Sequence, residues 1–278
     1  MENQKNYKIV ASDLDGTLLT REQRVSAENF EAIREMTRRG VYFVPASGRC
    51  VGEMPKDIMT CPEIRYMITS DGATVWDKST GEVALSRYIP SDMVRFIIEE
   101  SGKYRTYSMV HDRGDCFYDR ARHTKEITDA CHVNPYFMQL IESQDIPLDD
   151  YDGTMLASDT VELFCIFFAN EDERLEFEQK CLATGRLATA QSAQYNIEIY
   201  SSDAGKGNTL ASLAEKLGVS ISETIAVGDS TNDLSLVKTA GLGLAMENAC
   251  PELKETADRT ICHFTEHSAK YILENFIK

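Results

Sequence analysis

Two aspartates separated by a single residue are the first candidates for chemistry in this sequence. Asp13 and Asp15 stand in the run D-L-D-G-T-L, directly after the strand-like residues 8–12. A strand followed by a tight turn places both carboxylates at one edge of a sheet. There they could share ester cleavage, one as nucleophile and the other as general acid and then base. A bare D-x-D-G equally fits a solvated turn, so the interpretation depends on what else reaches the same edge.

A second acidic segment follows another predicted buried strand. It reads G-D-S-T-N-D over residues 228–233 and adds the carboxylates of Asp229 and Asp233. Four carboxylates converging on one sheet edge would repel one another strongly unless a cation lay among them. Oxygen donors with room for water and a substrate phosphate suit Mg²⁺, whereas a softer metal would need histidine or cysteine here. The two segments together predict a magnesium site.

Two further segments could bind an anion at the same place. A-S-G-R, residues 46–49, follows the second predicted strand, so the Ser47 hydroxyl and exposed backbone N–H groups could hold phosphate oxygens. In G-K-G, residues 205–207, a lysine between glycines just before a helix can approach an anion closely. Either segment alone also fits common loop chemistry, and each gains weight only from its neighbours.

The elements that would position these segments alternate in the manner of an α/β domain. Residues 8–12 and 41–46 have β character, and a helix is predicted between Ser26, a suitable N-cap, and Gly40, a suitable C′ residue. This order predicts a parallel strand pair joined by a right-handed crossover, the unit of a doubly wound sheet. The alternation returns later, with predicted helices at 208–217, 233–239 and 269–276 and predicted strands at 224–227 and 242–246.

The middle of the chain has a different pattern of predicted strands and helices. Strand-like runs at residues 106–118, 161–168 and 195–200 are separated by charged helices, which predicts an α+β module inserted into the α/β domain. The acidic segment 144–153 is expected to be a loop-like excursion. We therefore expect a doubly wound, mostly parallel, Rossmann-like core formed by residues 1–85 and 201–278, with an inserted α+β cap domain at residues 86–200.

Composition disfavours several other functions. The formal net charge of −16 and the lack of a local Lys/Arg cluster argue against nucleic-acid binding. No apolar run approaches the roughly 20 residues that span a bilayer, and the first residues lack a signal-peptide pattern, so a cytoplasmic protein without a membrane partner is expected. The eight cysteines include no C-x-x-C pair and the five histidines are scattered, which disfavours redox motifs and zinc catalysis.

The four segments, in this order and each at a predicted strand end or helix start, resemble the motifs of the haloacid dehalogenase-like hydrolase superfamily. The long insertion between Ser47 and Lys206 is similar to the C2-type cap of its Cof-type phosphatases. The resemblance extends over nearly the whole chain. It implies hydrolysis of a phosphate monoester with Mg²⁺ as the cofactor.

The resemblance also implies a role for each charged residue. Asp13 would be the nucleophile, Asp15 the general acid and base, and Lys206 would offset negative charge on the nucleophile and the phosphate. Mg²⁺ would be held by the Asp13 carboxylate, the Asp15 backbone carbonyl and the Asp229 carboxylate. Asp233 would support these ligands. The roles agree with the chemistry, because phosphoryl transfer depends mainly on in-line positioning and on neutralising charge.

The substrate-binding residues implied in the same way are Ser47, Gly48, Arg49 and Asn232. One position departs from the family, because residues 70–73 read S-D-G-A where relatives commonly read Asn-Gly-Ala. The extra carboxylate of Asp71 would weaken anion binding unless it pairs with a cation, for which Arg49 is a candidate. Alternatively, Asp71 caps a turn. The departure bears on substrate preference more than on reaction type.

A phosphatase acting on a small phosphorylated metabolite, with a sugar phosphate as the favoured class, is the leading expectation. A phosphomutase of the same superfamily would begin with the same phospho-aspartate and differ in keeping water away from it. A catalytically silent phosphate-binding module is disfavoured because every chemical role is filled, and an acidic scaffold rests on net charge alone. Glu198 and His111 are both candidates for contacts from the cap to the substrate, and no pattern indicates an oligomeric state.

Overall fold

Residues 6–278, the part of the chain that the computed structural model describes, contain fourteen β-strands and eleven α-helices. The strands are β1 (Ile9–Ser12), β2 (Tyr42–Pro45), β3 (Tyr66–Thr69), β4 (Thr74–Asp77), β5 (Glu82–Ser86), β6 (Thr106–Asp112), β7 (Asp115–Asp119), β8 (Ile146–Leu148), β9 (Val161–Phe168), β10 (Leu187–Ala190), β11 (Asn196–Ser201), β12 (Thr224–Gly228), β13 (Leu242–Ala245) and β14 (Arg259–Thr260). The helices are α1 (Ala27–Arg38), α2 (Lys56–Thr60), α3 (Ser91–Ser101), α4 (Lys125–Ala130), α5 (Pro135–Gln144), α6 (Tyr151–Ala157), α7 (Glu171–Ala183), α8 (Lys206–Lys216), α9 (Leu234–Thr239), α10 (Pro251–Thr256) and α11 (Ser268–Phe276).

The described residues form two compact units. The first unit holds residues 6–48, 54–86 and 205–278, and the second unit holds Arg49–Glu53 and Arg87–Ala204. The long part of the second unit, Arg87–Ala204, overlaps residues 86–200, and the division into a core domain and a cap domain stays a prediction. The short segment Arg49–Glu53 groups with it as well, which a single insertion did not anticipate.

The first unit is built on a parallel sheet with strand order β14-β13-β12-β1-β2. Every residue of β1 and β12 is buried, as expected for parallel strands covered by helices on both faces. Helices α8 and α9 pack together beside one hydrophobic cluster of this sheet, and α1 packs with α11. The chain order reverses between β1 and β12, so their carboxyl ends form the topological switch point, where ligands bind in open α/β sheets.

Helix α1 shows how local sequence sets these elements. Ser26 accepts a hydrogen bond from the backbone N–H of Asn29 (3.2 Å), as an N-cap side chain does. Gly40 has a φ of +76° just beyond the last turn, the conformation that ends many helices. The helix predicted between these two residues is confirmed, and it carries the chain from β1 back to the start of β2.

Strand β3 begins a separate antiparallel sheet of the first unit, with order β3-β4-β5. A parallel bridge between Ala46 and Ile68 joins this sheet to the residues that follow β2. The backbone N–H of Ser47 then donates to the Ile68 carbonyl (3.0 Å). The loops after β2 and β3 therefore start side by side.

The second unit contains a six-stranded sheet with order β10-β11-β9-β6-β7-β8, antiparallel except for the pair β7 and β8. Alternate residues of β9 serve its two faces. Phe164 and Ile166 pack in the cluster that includes residues of α3, α6 and α7. Cys165 and Phe167 pack in the cluster on the opposite face.

Two details of the second unit differ from the sequence-based expectations. The single strand predicted at residues 106–118 is a hairpin, because Arg113 and Gly114 adopt φ of +54° and +84° and reverse the chain between β6 and β7. The excursion predicted at residues 144–153 carries β8 and the start of α6. The N-cap of that helix is Asp150, whose side chain accepts a hydrogen bond from the Gly153 N–H (3.0 Å).

The predicted fold class, a mostly parallel α/β core with an inserted α+β region, is confirmed by these sheets. Within residues 6–278 no helix is both long enough and apolar enough to cross a membrane.

Candidate active site

The carboxyl ends of β1 and β12 bring the two acidic segments together. Asp13 follows β1, and its backbone N–H donates to the Val227 carbonyl of β12 (2.9 Å). Because the two strands are paired in register, the first residues beyond them share one edge of the sheet. Carboxylate oxygens of Asp13, Asp229 and Asp233 all lie within 4.8 Å of one another. These three residues are called the acidic centre below.

Lys206 provides positive charge inside the acidic centre. Its Nζ donates to Asp13 Oδ1 (2.9 Å) and to Asp233 Oδ1 (2.7 Å), and its side chain has no exposed surface. The residue before it, Gly205, has a φ of +103°, which favours glycine and lets the lysine begin α8 at this position. A buried lysine held by two carboxylates is a fixed counter-charge rather than a mobile surface cation.

Asp233 shapes the loop that carries Asp229. Its Oδ2 accepts hydrogen bonds from the backbone N–H groups of Asp229 (3.0 Å) and Ser230 (3.2 Å), while its Oδ1 accepts from Lys206. A carboxylate with both oxygens engaged in this way holds the loop in one conformation. Asp233 thereby fixes where the Asp229 side chain starts.

Asp13, Asp229 and Lys206 have strongly shifted pKa values. Burial, with repulsion from Asp233, raises the pKa of Asp13 well above its ordinary value, against the opposing effect of Lys206. Burial, again with repulsion from Asp233, raises the pKa of Asp229 to about 7. Burial alone would lower the pKa of Lys206, but the charges of Asp13 and Asp233 outweigh it and the pKa is raised. More negative charge is crowded here than one ammonium group neutralises.

A divalent cation with oxygen ligands fits this imbalance. The donor atoms of the acidic centre are carboxylate oxygens, a hard set that suits Mg²⁺. A cation among them would favour the ionised form of each carboxyl group and reverse the effect of burial. The residues present therefore match the magnesium site expected from the sequence.

Asp15 lies in the turn after β1 and is exposed. Its charge acts on Asp13, although burial is the main cause of the raised pKa of that group. The next residue, Gly16, has a φ of +78°, and a Cβ atom there would lie 2.3 Å from Asp229 Oδ2. Only glycine fits this turn, which leaves Asp15 near the acidic centre and open to solvent, as a group that exchanges protons requires.

Ser47, Gly48 and Asn232 gather around Asp71 at the ends of β2 and β3. The Asp71 backbone N–H donates to the Ser47 carbonyl (3.1 Å), and Asn232 Nδ2 donates to Asp71 Oδ1 (3.3 Å). A Cβ atom on Gly48 would lie 3.4 Å from the same carboxylate oxygen. Asp71 is buried, has a φ of +50° and acts electrostatically on Lys206. Its carboxylate belongs to this site as well as to the turn.

Arg49, the remaining predicted substrate-binding residue, falls in the second unit. Its guanidinium Nη1 donates to the backbone carbonyl of Glu53 (3.3 Å). Its pairing with Asp71 and its contact with substrate stay predictions.

Asn248 belongs to the site but was missed by the sequence analysis. Its Nδ2 donates to the Gly16 carbonyl (2.8 Å) and to Asp229 Oδ2 (3.3 Å), and its Oδ1 accepts from the Phe264 N–H (3.1 Å). It therefore ties the turn after β1 to the Asp229 loop. The available signal was its place in the short M-E-N run after β13, another strand end at the same edge of the sheet.

Comparison with known proteins decides the family. The family model described as haloacid dehalogenase-like hydrolase matches residues 10–273. The chain belongs to the haloacid dehalogenase-like hydrolases. The resemblance to the Cof-type phosphatases of that superfamily is thereby confirmed, and so is the expected enzyme class, a phosphoric monoester hydrolase.

Relatives within the haloacid dehalogenase-like hydrolases are similar along most of their length. Over 260 residues the chain is 31% identical to the 5-amino-6-(5-phospho-D-ribitylamino)uracil phosphatase YcsE of Bacillus subtilis, covering 91% of this chain and 89% of that protein. A solved haloacid dehalogenase-like hydrolase from B. subtilis has a TM-score of 0.82 at 26% identity, covering 97% of this chain and 100% of the other. A subclass IIB sugar phosphatase shares the fold, with a TM-score of 0.80 at 18% identity over 96% of this chain and 98% of its own.

Proposed function

We propose that this hydrolase is a Mg²⁺-dependent phosphatase that cleaves the phosphate monoester of a small metabolite through a phosphorylated Asp13. The acidic centre carries the proposal. A buried carboxylate follows β1, a fully buried lysine lies 2.9 Å from one of its oxygens, and two more carboxylates lie beside it. This arrangement supports attack by Asp13 on a phosphate dianion, because fixed positive charge offsets the repulsion between nucleophile and substrate.

The proposed reaction has two steps. An Asp13 oxygen bonds to phosphorus as the bond from phosphorus to the ester oxygen breaks, and Asp15 gives its proton to the leaving alkoxide. The Asp15 carboxylate then takes a proton from water, the water oxygen bonds to phosphorus, and the bond to Asp13 breaks to release inorganic phosphate. Asp15 is exposed in its turn, which suits a group that must serve both the leaving group and water.

The carboxylates of Asp13 and Asp229 and the Asp15 backbone carbonyl would hold the magnesium ion, with Asp233 supporting these ligands, and enzymes of this superfamily generally use Mg²⁺. When bound, the ion offsets the charge of the carboxylates and of the phosphoryl oxygens. Lys206 holds its charge against Asp13 through both steps, since it is buried and donates to that carboxylate directly. Asp233 keeps the Asp229 loop in place through its two hydrogen bonds to backbone N–H groups.

The phosphoryl oxygens would be bound by Ser47, Gly48 and Asn232, which the ends of β2 and β3 and the loop after β12 support. We further propose that the first unit is the catalytic core domain and that the second unit is a cap domain that recognises the leaving group, with Arg49 among the substrate contacts. A sugar phosphate or related polyol phosphate is the favoured substrate class. The phosphoribityl group in the name of the YcsE relative supports it.

The test is a phosphate-release screen of the purified full chain against sugar phosphates, polyol phosphates and nucleotides in the presence of Mg²⁺. We expect free phosphate and dephosphorylated product in equal amounts, loss of release with EDTA, and recovery when Mg²⁺ is restored. A rearranged phosphate ester without free phosphate would identify a phosphomutase instead. Full activity in a verified metal-free sample would contradict the role given to magnesium.

A further inference from the structure

A second group of metal-ligating side chains lies in the second unit, around the β6–β7 hairpin. His111 of β6 and Cys116 of β7 are direct cross-strand partners. Residues opposite each other in an antiparallel pair project from the same face, with Cβ atoms about 4.5–5.5 Å apart. The hairpin therefore places an imidazole and a thiol next to each other in the interior, where His111 is 5% exposed and Cys116 3%.

The segment Arg49–Glu53 adds two more donors to this place. The Gly52 N–H donates to the Gly114 carbonyl at the tip of the hairpin (2.7 Å). A Cβ atom on Gly52 would lie 2.9 Å from Asp115 Oδ1, so a larger residue would push the segment away from the hairpin. The contact brings in the fully buried thiol of Cys50 and the carboxylate of Glu53.

Distances between the donor atoms are short. The ligand atoms of Cys50, Glu53 and His111 all lie within 4.8 Å of one another, and so do those of Glu53, Cys116 and Asp145. Glu53 belongs to both sets, and its Oε2 lies 3.4 Å from His111 Nε2. The Cys–His–Glu cluster is defined as the first set, Cys50, Glu53 and His111, together with Cys116, which is linked to it through Glu53 and through its strand pairing with His111.

We propose that the Cys–His–Glu cluster is a structural site for a zinc-class divalent cation. Thiolate, imidazole and carboxylate groups all bind zinc, closed zinc sites take four protein donors, and sulfur donors select against Mg²⁺. Binding would convert both thiols to thiolates with release of two protons, while the imidazole binds in its neutral form. The ion would fasten the segment Arg49–Glu53 to the β6–β7 hairpin of the same unit.

A buried oxygen beside the cluster points the same way. Asp145 Oδ1 is buried and, within residues 6–278, has no hydrogen-bond partner of ordinary geometry, while the thiol of Cys116 interacts with this carboxyl group. It lies in the donor set with Glu53 and Cys116. A thiol is a weak hydrogen-bond donor, so burial of this carboxylate is costly, and a cation among its neighbours would compensate for it.

The experiment uses the full-length protein, reduced and stripped of metal, in buffer with excess Mg²⁺ so that hard-ligand sites are occupied. Cobalt(II) is titrated as a spectroscopic substitute for zinc, and zinc is then added. We expect one equivalent of cobalt with the visible bands of tetrahedral coordination and a thiolate-to-cobalt charge-transfer band, displaced by one equivalent of zinc. A wild-type protein whose cobalt spectrum lacks the thiolate band would overturn the proposal.

Matched variants locate the ion. Cys116→Ser and His111→Gln should each weaken zinc binding by about 100-fold or more, the upper end of what loss of a supporting partner costs. Cys181→Ala, a buried cysteine elsewhere in the same unit, and Asp229→Asn in the acidic centre should both leave zinc affinity unchanged. If the Cys116 and His111 variants do not fold, the proposal is tested by zinc binding to Glu53→Gln, whose side chain is partly exposed, and by the thiolate-to-cobalt band of the wild-type protein. Zinc affinity that follows Asp229 rather than Cys116 would refute the site.

Discussion

The acidic centre and the Cys–His–Glu cluster are both buried groups of polar side chains, but they balance charge in different ways. In the acidic centre the counter-charge is permanent, because Lys206 is fully buried and donates to two carboxylates. In the Cys–His–Glu cluster the group facing Glu53 is the imidazole of His111, whose Nε2 lies 3.4 Å from Glu53 Oε2. The first group suits a hard cation and an anionic substrate, whereas the second suits a softer cation that displaces protons.

The two groups also differ in what places them. The acidic centre is assembled at the ends of neighbouring parallel strands, each followed by a short contiguous motif. The Cys–His–Glu cluster is assembled by a hairpin turn and by the separate segment Arg49–Glu53. The same fold therefore carries one group of side chains that can be recognised from sequence motifs and one that depends on tertiary contacts.

The largest expected effect is at Asp13. Asp13→Asn keeps the shape of the side chain but removes the nucleophile, so kcat should fall by about 10⁴-fold or more. Stopped reactions with labelled substrate should show phosphate on the wild-type chain and none on the variant. The matched control is Cys181→Ala, which should keep kcat within about twofold. Turnover of Asp13→Asn near the wild-type rate would place the reactive group outside the acidic centre.

Removing the permanent cation should have the next largest effect. Lys206→Met leaves the carboxylates of Asp13 and Asp233 buried without their donor. We expect activity to fall by at least about 10²-fold, and the free energy of unfolding to fall by about 3–5 kcal/mol, as when one partner of a buried ion pair is removed. Denaturant unfolding in EDTA measures the second quantity. A variant as stable as the wild type would show that Lys206 is not the fixed counter-charge of this centre.

Much of the acidic centre could be anticipated from sequence, and for a physical reason. Parallel strands that alternate with helices must end at one edge, so motifs directly after residues 8–12 and 224–227 had to meet. The fold class, the family and the enzyme class predicted on that basis are confirmed. The individual roles given to the site residues stay predictions until variants are measured.

Other features depend on contacts that no local pattern reports. The sequence predicts one strand in place of the hairpin between β6 and β7, because an Arg-Gly pair indicates a hairpin turn less strongly than Asn-Gly or Asp-Gly does. His111 and Cys116 consequently looked scattered, although the hairpin makes them neighbours. Asn248 was missed because an asparagine after a strand is ordinary turn chemistry, and only the fold brings it to Gly16 and Asp229.

Asp71 tests whether the core site carries more negative charge than anion binding favours. Asp71→Asn keeps the shape, and asparagine tolerates the left-handed φ of +50° as well as aspartate does. Removing a carboxylate that contacts Asn232 should lower KM for the substrate and Ki for inorganic phosphate by up to about tenfold, with kcat changed less. Steady-state kinetics with phosphate as a product inhibitor measure both constants. A higher KM in the variant would mean that Asp71 organises the substrate site rather than opposing the anion.

The smallest expected effect comes from the ion pair between Arg65 and Asp77. Its contribution to the free energy of unfolding is a reference for the acidic centre and the Cys–His–Glu cluster. Arg65 donates to Asp77 through Nη2 (2.9 Å) and Nε, and the backbone N–H of Ser79 donates to the same carboxylate (2.9 Å). The Arg65 hydrogen bonds are the main reason that the pKa of Asp77 is held well below its ordinary value. Since half of the Arg65 side chain is exposed, solvent screens the pair, and Asp77→Asn should cost about 1 kcal/mol or less near pH 7.

The sign of the pH dependence follows from the direction of that shift. A carboxyl group with a lowered folded-state pKa stabilises the protein fully above its unfolded-state pKa, about 4, and loses that contribution as the pH falls toward the folded-state value. The difference in unfolding free energy between wild type and Asp77→Asn should therefore be constant from about pH 5 upward and shrink below about pH 4. Urea unfolding at a series of pH values measures it, with Asp92→Asn at the more exposed pair with Arg186 as the matched control. A difference that grew on acidification would mean that the ionised form of Asp77 is disfavoured in the folded protein, as it is for Asp13 and Asp229. The contrast between paired and crowded carboxylates would then fail.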